Sequence, residues 1–91
     1  MPSEPAAESL LRFPCAFPIK ALGVAGADFD ALVVGLIRPF APELGEGDVQ
    51  TRLSANGRYM SVTVTVQARS RGQLDSIYTA LTGHQRVLMA F

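Results

Sequence analysis

Two periodicities alternate along the chain, a two-residue repeat that predicts strands and a three-to-four-residue repeat that predicts helices. From Ala16 to Val24, Phe17, Ile19 and Ala21 share one side while Lys20 and Leu22 share the other, which predicts a first strand. Pro14 and Pro18 suit the start of such a strand, where a missing N–H is tolerated, and Gly23 and Gly26 mark a turn. Asp28 then stands as N-cap to a helix with the stripe Phe29, Leu32, Val33, Leu36, Ile37 and Phe40. Pro39 ends it near Arg38, because its ring clashes with the carbonyl four residues back. Val49 to Ser54 reads as a second strand, with Val49, Thr51 and Leu53 alternating against Gln50, Arg52 and Ser54. Asn56-Gly57 predicts a type I′ hairpin turn with two positive φ values. In the third strand Met60, Val62, Val64, Val66 and Ala68 face one way and Tyr59, Ser61, Thr63, Thr65 and Gln67 the other. One side is dry and the other polar, as in an antiparallel sheet covered on a single face. Ser70 with Gln73 forms a capping box for a second helix with the stripe Leu74, Ile77, Tyr78 and Leu81, and Gly83 is placed to stop it. Gln85 to Phe91 reads as a final strand, apolar on both faces.

The order β-α-β-β-α-β with short connections predicts an α+β ferredoxin-like sandwich, a four-stranded antiparallel sheet with two helices on one face. The first and third strands are then central, and the second and fourth are edges. Residues 1–9 read as a mobile tail and 10–91 as a single domain, with Leu10, Leu11 and Phe13 as a flap on the core.

Composition narrows the chemistry. With 91 residues, 48% of them apolar and 18% charged, the chain has one core and no room for a second domain. Eight basic residues balance eight acidic ones, whereas nucleic-acid binders carry a positive excess. Cys15 is alone, so no intramolecular disulfide forms, and no cationic neighbour in sequence activates its thiol. No apolar run reaches the roughly 20 residues that span a bilayer. The N-terminus is acidic and Pro-containing, the wrong charge for a signal peptide, so a cytoplasmic protein is expected.

The segments FPCAFPIKALG, SANGRYMSVTVTV and RVLMAF, and above all the FP-x-x-FPIK pattern and Gly57, Tyr59, Ser61 and Val62 of the hairpin, resemble the YbeD-like family of small bacterial proteins. The resemblance covers roughly residues 10–91 and implies a ferredoxin-like domain similar to the ACT regulatory module, which binds small effectors, often amino acids, at subunit interfaces. It implies no catalytic residues. The ACT effector turn after the first strand is matched only loosely by Gly23 and Gly26.

Fold alone does not give function, so each activity this topology carries is weighed on its residues. Acylphosphatases follow the first strand with a Gly-containing turn and Phe-Arg, the Arg binding phosphate. Here Phe29 is followed by Asp30, whose carboxylate would repel phosphate. RNA-recognition domains stack bases on rings of the central strands, and only Tyr59 is aromatic where Ser61 and Val64 take the other positions. His84, at the C-terminal end of the second helix, is the single histidine, and as a cation it would simply be stabilised by the helix dipole. It has no visible nucleophile, and no enzyme, metal or cofactor is expected. The run Glu43, Glu46 and Asp48 reads as a solvated loop.

Binding remains. The polar face of the third strand joins the open sides of its neighbours, to which the alternation assigns Leu22, Val24, Leu88 and Ala90. Lys20, Leu22, Arg52, Tyr59, Ser61, Thr63 and Leu88 form the candidate binding face. Lys20 is the one charged group on a central strand, an anchor for a small anionic effector or an acidic partner side chain, with Arg52 or Tyr59 nearby. The apolar terminal strand would be an aggregation liability in water, so the flap, a second copy of the chain or a protein partner is expected along that edge. The leading expectation is a non-enzymatic regulatory or adaptor domain, and the alternative is an RNA-binding module.

Overall fold

The computed structural model describes residues 12–91. Strand β1 (Cys15–Val24) leads into helix α1 (Phe29–Ile37) and a 3₁₀ turn at Arg38–Phe40. A second 3₁₀ turn (Glu46–Asp48) precedes β2 (Val49–Leu53), β3 (Tyr59–Ala68), α2 (Arg71–Thr82) and β4 (Met89–Ala90). The strands form one antiparallel sheet in the order β2-β3-β1-β4, so β1 and β3 are central, as the ferredoxin-like reading requires. The tail expected at 1–9, and Leu10 and Leu11 of the flap, lie outside the described residues; Phe13 packs against the core.

The core forms where the two periodicities meet. Ile19 and Ala21 of β1 and Val62, Val64 and Val66 of β3 are wholly buried beneath Phe29, Val33 and Ile37 of α1 and Ile77 and Leu81 of α2. Each large side chain so buried contributes roughly 1.5–3 kcal/mol against conformational entropy. The helix ends are tied together by Gln73, whose Nε2 donates to the Phe40 carbonyl at 2.8 Å.

Pro18 lies well inside central strand β1, yet it costs no ladder bond among the described residues. The Lys20 N–H and carbonyl exchange bonds with Phe91 at 2.7 and 2.8 Å, so even-numbered residues of β1 address β4. Pro18, two residues earlier, faces that same side past the last paired residue, where no described strand lies.

Several local expectations are corrected. Asp28 holds the N-cap position of α1 but makes no side-chain cap bond; its carboxylate turns to Arg86 instead. The β2–β3 connection is not a type I′ turn, because Gly57 alone among the described residues has a positive φ, 74°. Asn56 Oδ1 accepts from the Arg58 N–H at 3.0 Å and meets the Ser54 hydroxyl at 2.9 Å. This side-chain bonding builds a longer loop in which the Gly57 N–H reaches the Ser54 carbonyl. Half of the capping box forms as expected, Ser70 Oγ accepting from the Gln73 N–H at 3.1 Å, while Gln73 Oε1 takes the N–H of Arg69 rather than that of Ser70. Gly83 ends α2 with φ −80°, not in the left-handed region; what it spares is crowding, since a Cβ there would lie 3.1 Å from the Thr79 carbonyl oxygen.

The last strand departs furthest from its reading. Residues 84–87 form a turn, closed by the Val87 N–H on the His84 carbonyl at 3.0 Å, and the ladder is confined to Met89 and Ala90. Met89 is the register partner of Leu22, yet the Leu88 N–H also donates to the Leu22 carbonyl at 2.7 Å. Two successive residues thus address one, the arrangement of a β-bulge, and the alternation slips by one. Val87 is buried, Leu88 and Met89 are both exposed, and Ala90 turns inward beside Ala21. Ala90 therefore leaves the open face to which alternation assigned it, and Met89 and Phe91 replace it.

Gly23 sets how closely the layers approach. A Cβ at this position would lie 2.6 Å from the Arg86 carbonyl oxygen and closer still to Cζ of Phe29. Gly23→Ala is expected to destabilise the fold by about 2–3 kcal/mol through overpacking. Gly35→Ala, in mid-α1 with nothing within 4 Å of its Cβ position, should stabilise it by about 0.5–1 kcal/mol. Urea unfolding of both variants reads the contrast, and equal shifts of the same sign would contradict this packing.

Candidate functional site: the open face of the sheet

No described element lies over the sheet face opposite the helices. The register arranges its side chains in rows across the strands: Arg52, Ser61, Leu22 and Met89 in one, and Gln50, Thr63 and Lys20 in the next, closed by Phe91 through its paired backbone bonds to Lys20. Tyr59 faces Val24 in the row nearest the hairpin. Lys20, Leu22, Arg52, Tyr59, Ser61 and Thr63 thus share one face, and Leu88 is exposed beside it at the bulge. The expected closeness of Lys20 to Arg52 is not found, because β3 lies between their strands.

The face combines three chemistries. Val24, Leu88, Met89 and Phe91 are each between 53% and 57% exposed, an unusual concentration of bare apolar side chains. Lys20 Nζ stands 5.6 Å from the centroid of the Phe91 ring, a cation–π contact worth roughly 0.5–1 kcal/mol at an exposed site. Near the hairpin a depression of about 160 Å³ is lined by Leu22, Arg52, Leu53, Ser54, Tyr59 and Ser61. Leu53 was not foreseen there: its place in the alternation puts it opposite Met60 on the helix side, but at the strand end it is exposed and lines this hollow. Met89 and Phe91 were missed because nothing in the run RVLMAF marks the bulge.

The other sequence candidates fall elsewhere. Val64 is wholly buried against the helices, so it was never a position at which a base could stack. His84 is half-buried, and its Nδ1 accepts the Arg86 N–H at 3.1 Å. Asp48 Oδ2 accepts the Gly45 N–H at 3.0 Å, and no group of three potential metal ligands gathers among the described residues. A second hollow, about 390 Å³, separates α1 from β2 between Asp30, Val34, Arg38, Glu46 and Val49, where the helix leaves the edge strand uncovered.

What holds β4 in place is a clip outside the face. Arg86 NH1 and NH2 bind Asp28 Oδ2 and Oδ1, both at 3.0 Å, a bidentate pair joining the start of α1 to the segment before β4. The same guanidinium lies 5.9 Å from the centroid of the Phe29 ring. With the Arg86 carbonyl seated over Gly23, the clip fixes where Val87 turns in and Leu88 to Phe91 turn out.

A family model described as a protein of unknown function, DUF493, matches residues 8–91. The chain belongs to the DUF493 family. Among its relatives, a UPF0250 protein of Paraburkholderia phytofirmans is 50% identical over 80 residues, 88% of this chain and 90% of that one. A UPF0250 protein of Nitrosomonas europaea is 44% identical over 82 residues, 90% of this chain and 94% of the relative. These relatives bear out the YbeD-like resemblance. The solution structure of protein HP0495 from H. pylori superposes with a TM-score of 0.72 over all of this chain and 94% of that one. At 13% identity that likeness concerns the fold alone, and it is the ferredoxin-like fold of this DUF493 member. No helix among the described residues is long and apolar enough to cross a membrane.

The clip has a pH signature. The Arg86 hydrogen bonds first, then a backbone hydrogen bond and the Arg86 charge, hold the Asp28 carboxyl below the ordinary aspartate value. A depressed folded-state pKa stabilises the fold above the unfolded aspartate pKa, and that stabilisation is lost as pH falls through the lower folded value. NMR titration should therefore place Asp28 below an ordinary aspartate. Arg86→Gln should raise it toward the ordinary range and flatten that part of the acid dependence of unfolding; an unchanged Asp28 titration would contradict the clip.

Proposed function

We propose that this DUF493 member is a non-enzymatic adaptor or regulatory domain whose working surface is the open face of its sheet, used to contact a partner protein. The observation that carries this reading is the cluster of exposed Val24, Leu88, Met89 and Phe91 around half-buried Leu22 on a face that no described element covers. Exposed apolar area gathered on one rigid surface costs free energy in water and is recovered on contact. The polar groups elsewhere support the non-catalytic side of the reading. His84 spends Nδ1 on a turn, Ser70 caps α2, Ser54 closes the hairpin loop, and Thr82 bonds back to the Tyr78 carbonyl. Each is bound to local backbone rather than poised beside a nucleophile or base.

A photo-crosslinking amino acid placed at Thr63, in the middle of the face, tests the reading against the same probe at Thr79, exposed on α2. In cells, protein adducts should form from Thr63 and be weak or absent from Thr79. Adducts from Thr79 alone, or from neither, would sink it.

A further inference from the structure

The net charge of zero conceals an uneven distribution. By the register across the sheet, the open face carries the side chains of Lys20 and Arg52 and not one acidic side chain among its described residues. The described acidic residues, Asp28, Asp30, Glu43, Glu46, Asp48 and Asp75, all belong to the helices and the connections before and after α1. Resting on the contact-surface reading above, we propose that the partner is an acidic, amphipathic protein segment. Its carboxylates would meet Arg52 and Lys20, and one of its apolar side chains would enter the hollow between Leu22 and Tyr59.

The dimensions suit that occupant. A depression of about 160 Å³ holds a single large apolar side chain, since an apolar cavity of about 150 Å³ accepts a benzene ring. Arg52 stands at its wall, and Ser54 and Ser61 add hydroxyls at the same place. Lys20 lies two strands across and one row along, about 12 Å from Arg52 by strand spacing and rise. Beyond it the exposed Met89 and Phe91 extend the apolar contact. A segment with acidic residues spaced by about that distance, flanking a Leu or Phe, meets every one of these features.

The other occupants fit less well. A second copy placed face to face would bury two further cations and bring no acidic side chain from its described face to Lys20 and Arg52. RNA needs rings free to stack and several cations to follow phosphates. Here Phe91 already lies under Lys20, Tyr59 is half-buried at the hollow, and much of the remaining area is aliphatic.

The test is a display selection of random 16-residue peptides on the full chain, followed by fluorescence anisotropy of the enriched sequences. Winners should combine Asp or Glu with Leu, Ile or Phe. Lys20→Glu with Arg52→Glu should weaken them by about 10-fold or more, and the milder Lys20→Gln with Arg52→Gln should weaken them in the same direction. Arg71→Glu, on α2, should leave them within about twofold. Neutral or basic winners, no enrichment, or affinities indifferent to Lys20 and Arg52 would each overturn the inference. So would a salt-sensitive U20 RNA complex tighter than any peptide, or a dimer in sedimentation that the Lys20/Arg52 variant dissolves. Adducts at Thr63 combined with non-acidic winners would defeat this inference alone and leave the contact-surface reading standing; absent adducts defeat that reading whatever the peptides show.

Discussion

The closeness of β1 to the chain at Arg86 is the constraint on which the rest of the molecule depends, and it exists because residue 23 has no side chain. The Phe29 ring and the Arg86 carbonyl both occupy space that any Cβ at Gly23 would claim. Phe29 is the first residue of α1 and the largest of the wholly buried side chains, so its position sets how α1 lies on the sheet. Arg86 lies in the turn that leads into β4, so its position sets where that strand begins. Its side chain then closes the arrangement on Asp28, one residue before Phe29. Packing and a charged bidentate bond thus converge on one corner, and the corner fixes the placement of the exposed terminal residues.

That corner also explains what could and could not be read from the sequence. β1, β3 and α2 were legible almost to the residue, because their apolar residues repeat at the period of a buried face and nothing interrupts it. The open-face positions of β1 and β3 followed from the same alternation: once Ile19 and Val64 point inward, Lys20 and Thr63 must point outward. β4 was not legible, because RVLMAF is apolar at five successive positions, Val87 to Phe91, and a one-residue slip leaves its composition unchanged. The slip comes from a tertiary cause, the anchoring of Arg86 fifty-eight residues from Asp28 in sequence, which no local pattern records. Asp28 shows the same limit. Its place before a helix made capping the natural local use, yet a distant guanidinium offers two charge-assisted bonds and takes the carboxylate instead.

Charge was misleading for a related reason. A sum over the chain weighs residues equally, whereas a binding partner meets only those on one face. Equal numbers of acids and bases exclude a uniformly basic protein, but they say nothing about how the two signs are distributed over the layers. In this fold the described acidic side chains collect on the helices and loops together with most of the arginines, while the strands alternate Ser, Thr and Gln with two cations, Lys20 and Arg52. The electrostatic character of the open face is therefore a product of topology, visible only once the register is known.

An exposed apolar face must also avoid associating indiscriminately, and the two cations supply a physical reason why it need not. The aliphatic stem of Lys20 belongs to the same surface as Phe91, and its ammonium sits over the ring, so the largest exposed apolar group carries a hydrated charge beside it. Arg52 does the same at the hollow lined by Leu22 and Tyr59. A second copy approaching this surface would bury both charges and its own two, and no acidic side chain on the described face would repay the desolvation. The free energy held in exposed Met89, Leu88 and Phe91 is therefore recoverable chiefly by a surface that brings its own negative charge. Apolar area supplies the drive, and the two cations decide which surface can use it.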